Sequence, residues 1–458
     1  MKIAFLAPAG AMHRFNGSFS KALHYAPLTL TTLAALVPEE FNAELTIYDE
    51  TAGKIPLDLD ADIVCITCIT GTAPRCYTYA DYFRSLGKTV VLGGVHPTLM
   101  PDEASQHADV VMVGFSEQTF PKMLLDYREG CLKPRYVQGC DYTINNRVIP
   151  RRDLLNKKRY ITMNSVEAIR GCSLPCTFCA YPAAFGRTVY KRPVKEVMAE
   201  IEAFKSKEVL FPDVNLIADR AYAIELFTAM IPLKKIWLGL VTSSVGIDDE
   251  LISLFQKSGC KGLLIGFESI SQSSQSFIHK GVNKVLEYSE LVKRLHNAGI
   301  LVQGCFAFGG DDEDTSVFER TVEMVIKTKI DLPRYSILTP FPRTQLYNQL
   351  EAENRIVERN WAMYDVEHCV FIPKKMTKEQ LEEGIEWAWR ETYKLTSIFK
   401  RLAPFNHSPV ISLPVNFGYR QYANKFSIFT REVMTDNSDI PAANGGYNEN
   451  YLYTACNR

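Results

Sequence analysis

The chain reads as an α/β protein: a doubly wound amino-terminal domain, then a partial (β/α)6 barrel, then a smaller carboxyl-terminal region. Three observations predict this. Short β-branched apolar runs alternate with amphipathic stretches up to residue 130, the alternation breaks over 131–160, and it resumes in longer units from about 164. The runs are nearly continuous in apolar character, as parallel strands buried on both faces must be. The divisions that follow are 1–130, a linker at 131–160, the barrel at 161–345, and a helical or irregular region at 346–458 that covers the barrel mouth.

In the first domain KIAFLAP (2–8), AELTIYD (43–49), DIVCITC (62–68), TVVLGG (89–94) and DVVMVG (109–114) read as strands. Helical patterns over 28–37, 78–87 and the segment after Ser116 separate them, so a ligand would sit at the carboxyl edge of the sheet. The linker carries an Asn145–Asn146 turn signal, read as part of a hairpin, and the basic residues Arg151, Arg152, Lys157, Lys158 and Arg159, read as a solvated crossover. Six barrel strands are expected in VEAIRGC (166–172), EVLFPDVN (208–215), IWLGLVTS (236–243), GLLIGFES (262–269), LVQGCFAFG (301–309) and YSILTPF (335–341). Helices are expected over 194–206, 219–230, 248–257, 284–298 and 315–329, with Asp219 as a helix cap. Reactive groups in such a barrel lie on loops at the strand carboxyl ends. Residues 378–402 form one amphipathic pattern, and the remainder is rich in Asn, Pro and Tyr.

Composition excludes several classes. A formal net charge of −1 over 458 residues gives no global electrostatic argument for nucleic acid or an anionic membrane. MKIAFLAPAG lacks the pattern of a signal peptide, and no run of apolar residues is long enough to span a bilayer. Scattered cysteines, several in apolar runs, predict reduced buried thiols and a cytoplasmic, low-oxygen setting. Cys65 and Cys68 form a CxxC, but within a strand, where side chains three apart face opposite sides.

The most specific signal is RGCSLPCTFCAYP, with Cys172, Cys176 and Cys179 spaced CxxxCxxC. Three thiolates hold three irons of a [4Fe–4S] cube and leave the fourth iron open to another ligand. A structural zinc site needs four ligands, usually in two separated pairs, and no second pair follows here. Phe178, directly before the third cysteine, would shield the cluster from water.

This motif resembles the signature of the radical S-adenosylmethionine (SAM) superfamily, with the resemblance running over about 160–345. It implies that SAM chelates the open iron and is cleaved reductively to a 5′-deoxyadenosyl radical, with electrons from a donor such as flavodoxin or ferredoxin. FPDVNLIADRAYAIEL and GFESISQSS look like the family's loops after strands. Asp213, Asn215 and Glu268 would then meet the SAM ammonium or ribose, with Gln303, Gly304, Ser336 and Leu338 flanking the adenine. DIVCITCITGTAP and VVLGGVHPTLMPDEA resemble the cobalamin-binding class of that superfamily. Thr67, Thr70, Gly71, Thr72, Gly93, Gly94, Val95 and His96 would make room for the cobalamin tail. A dinucleotide cradle is disfavoured because GxGxxG is absent after the first strand. AMHRFNG departs from the DxHxxG motif at Ala11 and Asn16, so His13 is not expected to ligate cobalt.

The resemblance implies a C-methyltransferase: one SAM supplies the methyl by way of cobalamin, and a second yields the radical that activates an unactivated carbon. Oxidative cyclisation or rearrangement without methyl transfer is the alternative, and a non-catalytic protein with an inert cluster is the third. The substrate is a small molecule, or a lipid or pigment as in the similar hopanoid and bacteriochlorophyll methylases. Trp361, Tyr364, His368 and Phe371 are candidates to line its pocket, although core packing would use the same residue types.

Overall fold

The computed structural model describes residues 1–10, 25–139, 142–403, 409–432 and 437–441. His13 with its neighbours Ala11 and Asn16, and the chain beyond 441, lie outside the described residues.

The first sheet contains β1 (Lys2–Ala7), β2 (Glu44–Asp49), β3 (Ile63–Thr67), β4 (Thr89–Gly93), β5 (Val110–Val113) and β6 (Arg135–Val137). All are parallel, in the order β2-β1-β3-β4-β5-β6. The order reverses between β1 and β3, a switch point where sheets of this kind open a crevice at their carboxyl edge. Strand alternation divides the core between two faces. Phe5, Ile63, Cys65 and Met112 pack on one side with Leu30, Phe120 and Met123, while Leu6, Val64, Ile66 and Cys68 pack on the other with Cys76 and Phe83. Cys65 and Cys68 thus fall on opposite faces, as the strand period requires.

The segment expected as a linker hairpin behaves differently. Arg135–Val137 adds a sixth parallel strand, its register set by Met112 opposite Tyr136, because Tyr136 is buried in the first face's core. The Asn145–Asn146 turn is present, with Asn146 in the left-handed region. The chain then straps the barrel. Asn146 and Arg147 donate backbone N–H groups to Glu196, and the Arg152 guanidinium pairs with Glu200 and donates to Ser165 O at 2.5 Å. Arg152 is therefore a partnered, mostly enclosed cation and not part of a solvated crossover.

After a two-stranded antiparallel ribbon, β7 (Ile169–Arg170) with β8 (Tyr190–Lys191), comes a parallel sheet of β9 (Glu208–Leu210), β10 (Ile236–Val241), β11 (Cys260–Glu268), β12 (Leu301–Phe308) and β13 (Arg334–Ile337). The first of the six expected barrel strands, at 166–172, is reduced to a short pairing of residues 164–166 with Leu210. Val166 N–H donates to Leu210 O and Leu210 N–H to Asn164 O, both at 2.9 Å. The chain then peels off, because the Asp213 carboxylate replaces the ladder and accepts from the N–H groups of Ala168 (2.8 Å) and Ile169.

Helices Val194–Glu202, Arg220–Met230, Asp249–Ser258, Tyr288–Asn297 and Ser316–Thr328 follow the strands. Asp219 and Asp248 cap two of them by accepting from Tyr222 N–H (2.9 Å) and Leu251 N–H (3.1 Å). Trp237, Phe267, Phe306 and Tyr335 point outward into the helix layer and are buried. The alternate set, including Leu238, Leu240, Leu264, Glu268, Cys305 and Ser336, faces the lumen and keeps accessible surface. The amphipathic pattern over 378–402 forms two helices, Lys378–Thr392 and Leu395–Leu402, because Lys394 is extended and Tyr393 OH donates to Pro333 O at 2.7 Å.

A candidate active site between two sheet edges

The cysteine loop leaves β7 through Gly171, whose φ is +107° and whose space a Cβ would have to share with Thr188 O. Thr177 anchors the loop in both directions. Its N–H donates to Ile278 O (3.1 Å), and its carbonyl accepts from Leu346 N–H (3.0 Å). A turn from Cys179 N–H to Cys176 O (3.3 Å) brings the second and third cysteines round, and the short helix Ala180–Phe185 begins after Cys179. All three thiols are half-buried, and Phe178 packs on the core. Burial pushes the Cys176 thiol up to about 11, against the pull of the Lys280 ammonium, while Cys179, Glu268 and Cys172 push in the same direction as burial. Burial also raises Cys179, opposed by the Tyr181 backbone N–H. The loop thus holds three neighbouring thiols, two of which, Cys176 and Cys179, need a positive partner to ionise. Among the described residues no three His, Cys, Asp or Glu groups are placed to hold one metal ion. A cube binds its thiolates at separate corners, so it does not require such convergence.

At the end of β11 Glu268 adopts a left-handed backbone, φ +60°. The kink is held from below. Phe267 O accepts from Gln275 Nε2 (2.5 Å), Asn283 Nδ2 (2.8 Å) and Tyr288 OH (2.9 Å). The carboxylate so aimed pairs with Lys280, and the Lys280 charge also reaches Cys176 and Cys305. Gly266 makes this possible, because a Cβ there would collide with both charged ends. Paired positive and negative groups beside the cysteines match the carboxylate and ammonium of an amino acid. Sequence reasoning found Glu268 and missed Lys280, Gln275 and Asn283. No local pattern marks Lys280, which reaches Glu268 only through the fold of the chain after GFES.

The other expected SAM contacts are placed less favourably. Asp213 is 3% exposed with Oδ1 committed to the backbone of β7, and burial, then the Glu167 charge, push its carboxyl up to about 8. Asn215 is 5% exposed and its Oδ1 accepts from Ile217 N–H (3.3 Å). Gln303 lies opposite Leu264, three residues below the level of Glu268, and donates to Tyr419 OH (3.2 Å). Gly304 faces outward, its space taken by Phe267 and Ile330, so it leaves no room for an adenine. Leu338 is buried in the core. Ser336 does face the lumen, with its hydroxyl donating to Phe306 O (3.1 Å).

A cavity of about 300 Å³ opens at the carboxyl edge of the first sheet. Thr67, Gly93, Gly94 and Val95 line it, as do Leu28, Thr29 and Leu33 of the overlying helix Leu28–Ala35. Gly94 has φ +110°, and a Cβ on it would approach Cys68 O to 2.6 Å. Thr70, Gly71, Thr72 and His96 are turned elsewhere. Thr72 Oγ1 closes a turn on Ile69, and a Cβ at Gly71 would press on Tyr364 O at 3.1 Å. His96 is fully buried, with Nδ1 at 3.3 Å from Thr70 Oγ1 and Nε2 at 3.3 Å from Glu103 Oε1. Glu103 also accepts from Trp361 Nε1 (3.0 Å). These residues clamp the first domain to the carboxyl-terminal segment. Trp361, Tyr364 and Phe371 are buried in the same core, and His368 pairs with Asp365. The far wall of the cavity is Tyr181 and Phe185, from the helix that begins after Cys179. The cavity therefore runs from the first sheet to the segments that flank the cysteine loop.

Residues 166–325 match the Radical SAM superfamily and residues 26–124 match the B12 binding domain. The chain is similar to the bacteriochlorophyllide d C-12(1)-methyltransferase of Chlorobaculum tepidum, with 32% identity covering 82% of this chain and 84% of that protein. The chain belongs to the B12-dependent radical SAM family. A second protein of the same organism, bacteriochlorophyllide d C-8(2)-methyltransferase, is 28% identical over 86% of this chain and 91% of its own length. The radical SAM methyltransferase TsrM from Kitasatospora setae, solved with cobalamin and a [4Fe-4S] cluster, shares the fold. Its TM-score is 0.58, at 16% identity over 77% of this chain and 78% of that one. This B12-dependent radical SAM enzyme is methyltransferase-like, and its cofactors are a [4Fe–4S] cluster, SAM and cobalamin. The glycine-lined cavity and the three-thiol loop fit those groups. No helix among the described residues is long and apolar enough to cross a membrane.

Proposed function

We propose that this enzyme methylates an unactivated carbon of a tetrapyrrole pigment. In this reading residues 1–130 carry cobalamin, 161–345 carry the cluster and SAM, and 346–458 close over the substrate. The similarity to a bacteriochlorophyllide methyltransferase over more than four fifths of both chains carries the reading. Bound together, the cofactors supply a methyl group and a 5′-deoxyadenosyl radical; the chain supplies placement. Cys172, Cys176 and Cys179 hold the cluster and leave its fourth corner to SAM. Glu268 accepts from the SAM ammonium while Lys280 donates to its carboxylate, and Ser336 lies farther along the same lumen. Thr67, Gly93, Gly94 and Val95 receive cobalamin without a side-chain clash. Leu238, 43% exposed on the inner face of β10, offers an apolar wall to a flat macrocycle. A flavodoxin or ferredoxin supplies the electrons, in the cytoplasm.

The test is anaerobic reconstitution with iron, sulfide and hydroxocobalamin, followed by incubation with SAM, a reductant and bacteriochlorophyllide d. Methyl transfer gives a product heavier by one methylene unit, with S-adenosylhomocysteine and 5′-deoxyadenosine both formed. A product of unchanged carbon count would point to cyclisation or rearrangement instead. No turnover of the pigment, with 5′-deoxyadenosine still produced, would reject the substrate class.

A further inference from the structure

Beside the cysteine loop, one wall of the cavity is a buried ionic knot: Phe115, Glu117, Arg147, Glu167, Arg170 and Phe185 all line it. Arg170, two residues before Cys172, is 8% exposed. Its Nη1 donates to Glu117 Oε1 (2.6 Å) and to Tyr142 OH, and its Nη2 donates to Glu167 Oε2 (2.6 Å). Arg147, from the strap, pairs with the same Glu167. Although burial opposes it, Arg170 and Arg147 hold the Glu167 carboxyl at about 2. The Arg170 guanidinium also lies 4.6 Å from the Phe115 ring centroid, and Phe115 stacks on Phe185 at 4.6 Å with only 7° between planes. Three separate pieces of chain meet here. Phe115 and Glu117 follow β5 in the first sheet, Tyr142 and Arg147 belong to the strap, and Arg170 and Phe185 bracket the cysteines.

We infer that Arg170 is a positioning residue that fixes the spacing between the cobalamin cavity and the cluster loop, with Glu117 as its anchor in the first domain. The forked guanidinium suits this task, since two carboxylates from different segments are bound in set directions by one planar group. Glu103 to Trp361 and Asp49 to Tyr160 (3.0 Å) tie the domains away from the cysteine loop. The first-domain helix Val95–Leu99 also packs on the helix Ala180–Phe185, and the Arg170 fork adds fixed directions to that contact. The inference rests on the cofactor reading above, and its experiment separates the two.

Holoenzyme loaded with hydroxocobalamin and reduced to the cob(II)alamin and [4Fe–4S]1+ states carries two unpaired spins, whose dipolar coupling reports their separation. One narrow distance distribution is expected for the native enzyme. Arg170→Met and Glu117→Gln should each broaden or shift it in samples saturated with hydroxocobalamin, while iron content stays within about twofold of native. Arg170→Lys, which keeps the charge but loses the fork, should fall between. If Arg170→Met fails to fold, Glu117→Gln decides, because it keeps the shape and removes one charge. An unchanged, narrow distribution in the folded variants overturns the inference. Absence of cluster or bound cobalamin in the native enzyme overturns the cofactor reading instead.

Discussion

The two sheet edges that face each other across the site are made receptive by opposite means. At the first sheet the edge is shaped by what is missing: Gly93 and Gly94 leave space, and the polar side chains nearby are committed to their own turns and clamps. At the barrel the edge is shaped by charge, with Glu268 and Lys280 held against each other on a kinked backbone beside Cys176. On the proposed assignment of cobalamin to the first edge and SAM to the second, the difference follows the ligands. A corrin with its nucleotide tail is bulky and mostly uncharged at its periphery, so clearance governs its entry. SAM presents an ammonium and a carboxylate, so oppositely charged partners govern its orientation.

Replacements that attack one edge should therefore spare the ligand of the other. The largest effect belongs to Cys176→Ala, which should abolish 5′-deoxyadenosine formation and lower bound iron, yet leave hydroxocobalamin binding near native in an absorbance titration. Gly94→Val comes next. It places a β-branched side chain in a backbone region that costs non-glycine residues about 1–3 kcal/mol, in addition to the contact with Cys68 O. Hydroxocobalamin affinity should drop by about tenfold or more, since each factor of ten corresponds to only ~1.4 kcal/mol, while the cluster still assembles. Lys280→Met leaves Glu268 enclosed without its cation. Losing one member of a buried pair costs about 3–5 kcal/mol, so the melting temperature should fall and the SAM KM should rise, with cobalamin binding unaltered. Loss of cobalamin binding in Lys280→Met would mean the two edges are not independent.

A smaller effect separates two carboxylates behind the cysteine loop by pH. Asp213 has its folded pKa raised to about 8 by burial and by Glu167. Stability from its protonated form is complete below the ordinary aspartate value of about 4 and is lost as pH rises through 8. Asp213→Asn still accepts from Ala168 and Ile169, so it should flatten the fall in melting temperature between about pH 5 and 8. Glu167 has the opposite sign. Its depressed value means its contribution is present above the ordinary glutamate value of about 4 and disappears as pH falls toward 2. An Asp213→Asn profile that parallels the native one would contradict this division.

How legible each edge was in the sequence follows the same split. Strands with long β-branched runs and the CxxxCxxC loop could be read directly, because local pattern determines them. Glu268 was readable as the polar end of an apolar strand. Lys280, by contrast, meets Glu268 only because the loop after helix Gln272–Phe277 folds back, and nothing local in the sequence encodes that return. Arg135–Val137 was missed as a strand because three residues, one of them charged, give no period to detect. The first barrel strand was overestimated for a different reason. Its apolar residues are buried as expected, but the Asp213 side chain supplies the hydrogen bonds that a neighbouring strand would have supplied. Thr70, Thr72 and His96 sit in the segments that border the cavity, yet they serve the fold, because residue type alone does not tell which way a side chain turns.

The left-handed backbone at Glu268 carries an evolutionary corollary. Glycine would occupy that conformation at no cost, whereas any other residue is held there at an expense of about 1–2 kcal/mol. A doubly altered chain with Glu268→Gly and Lys280→Met would relieve the torsion and remove the charge pair together. It should denature at a higher temperature than the natural protein while failing to retain SAM, making this corner a site where durability has been traded for chemistry.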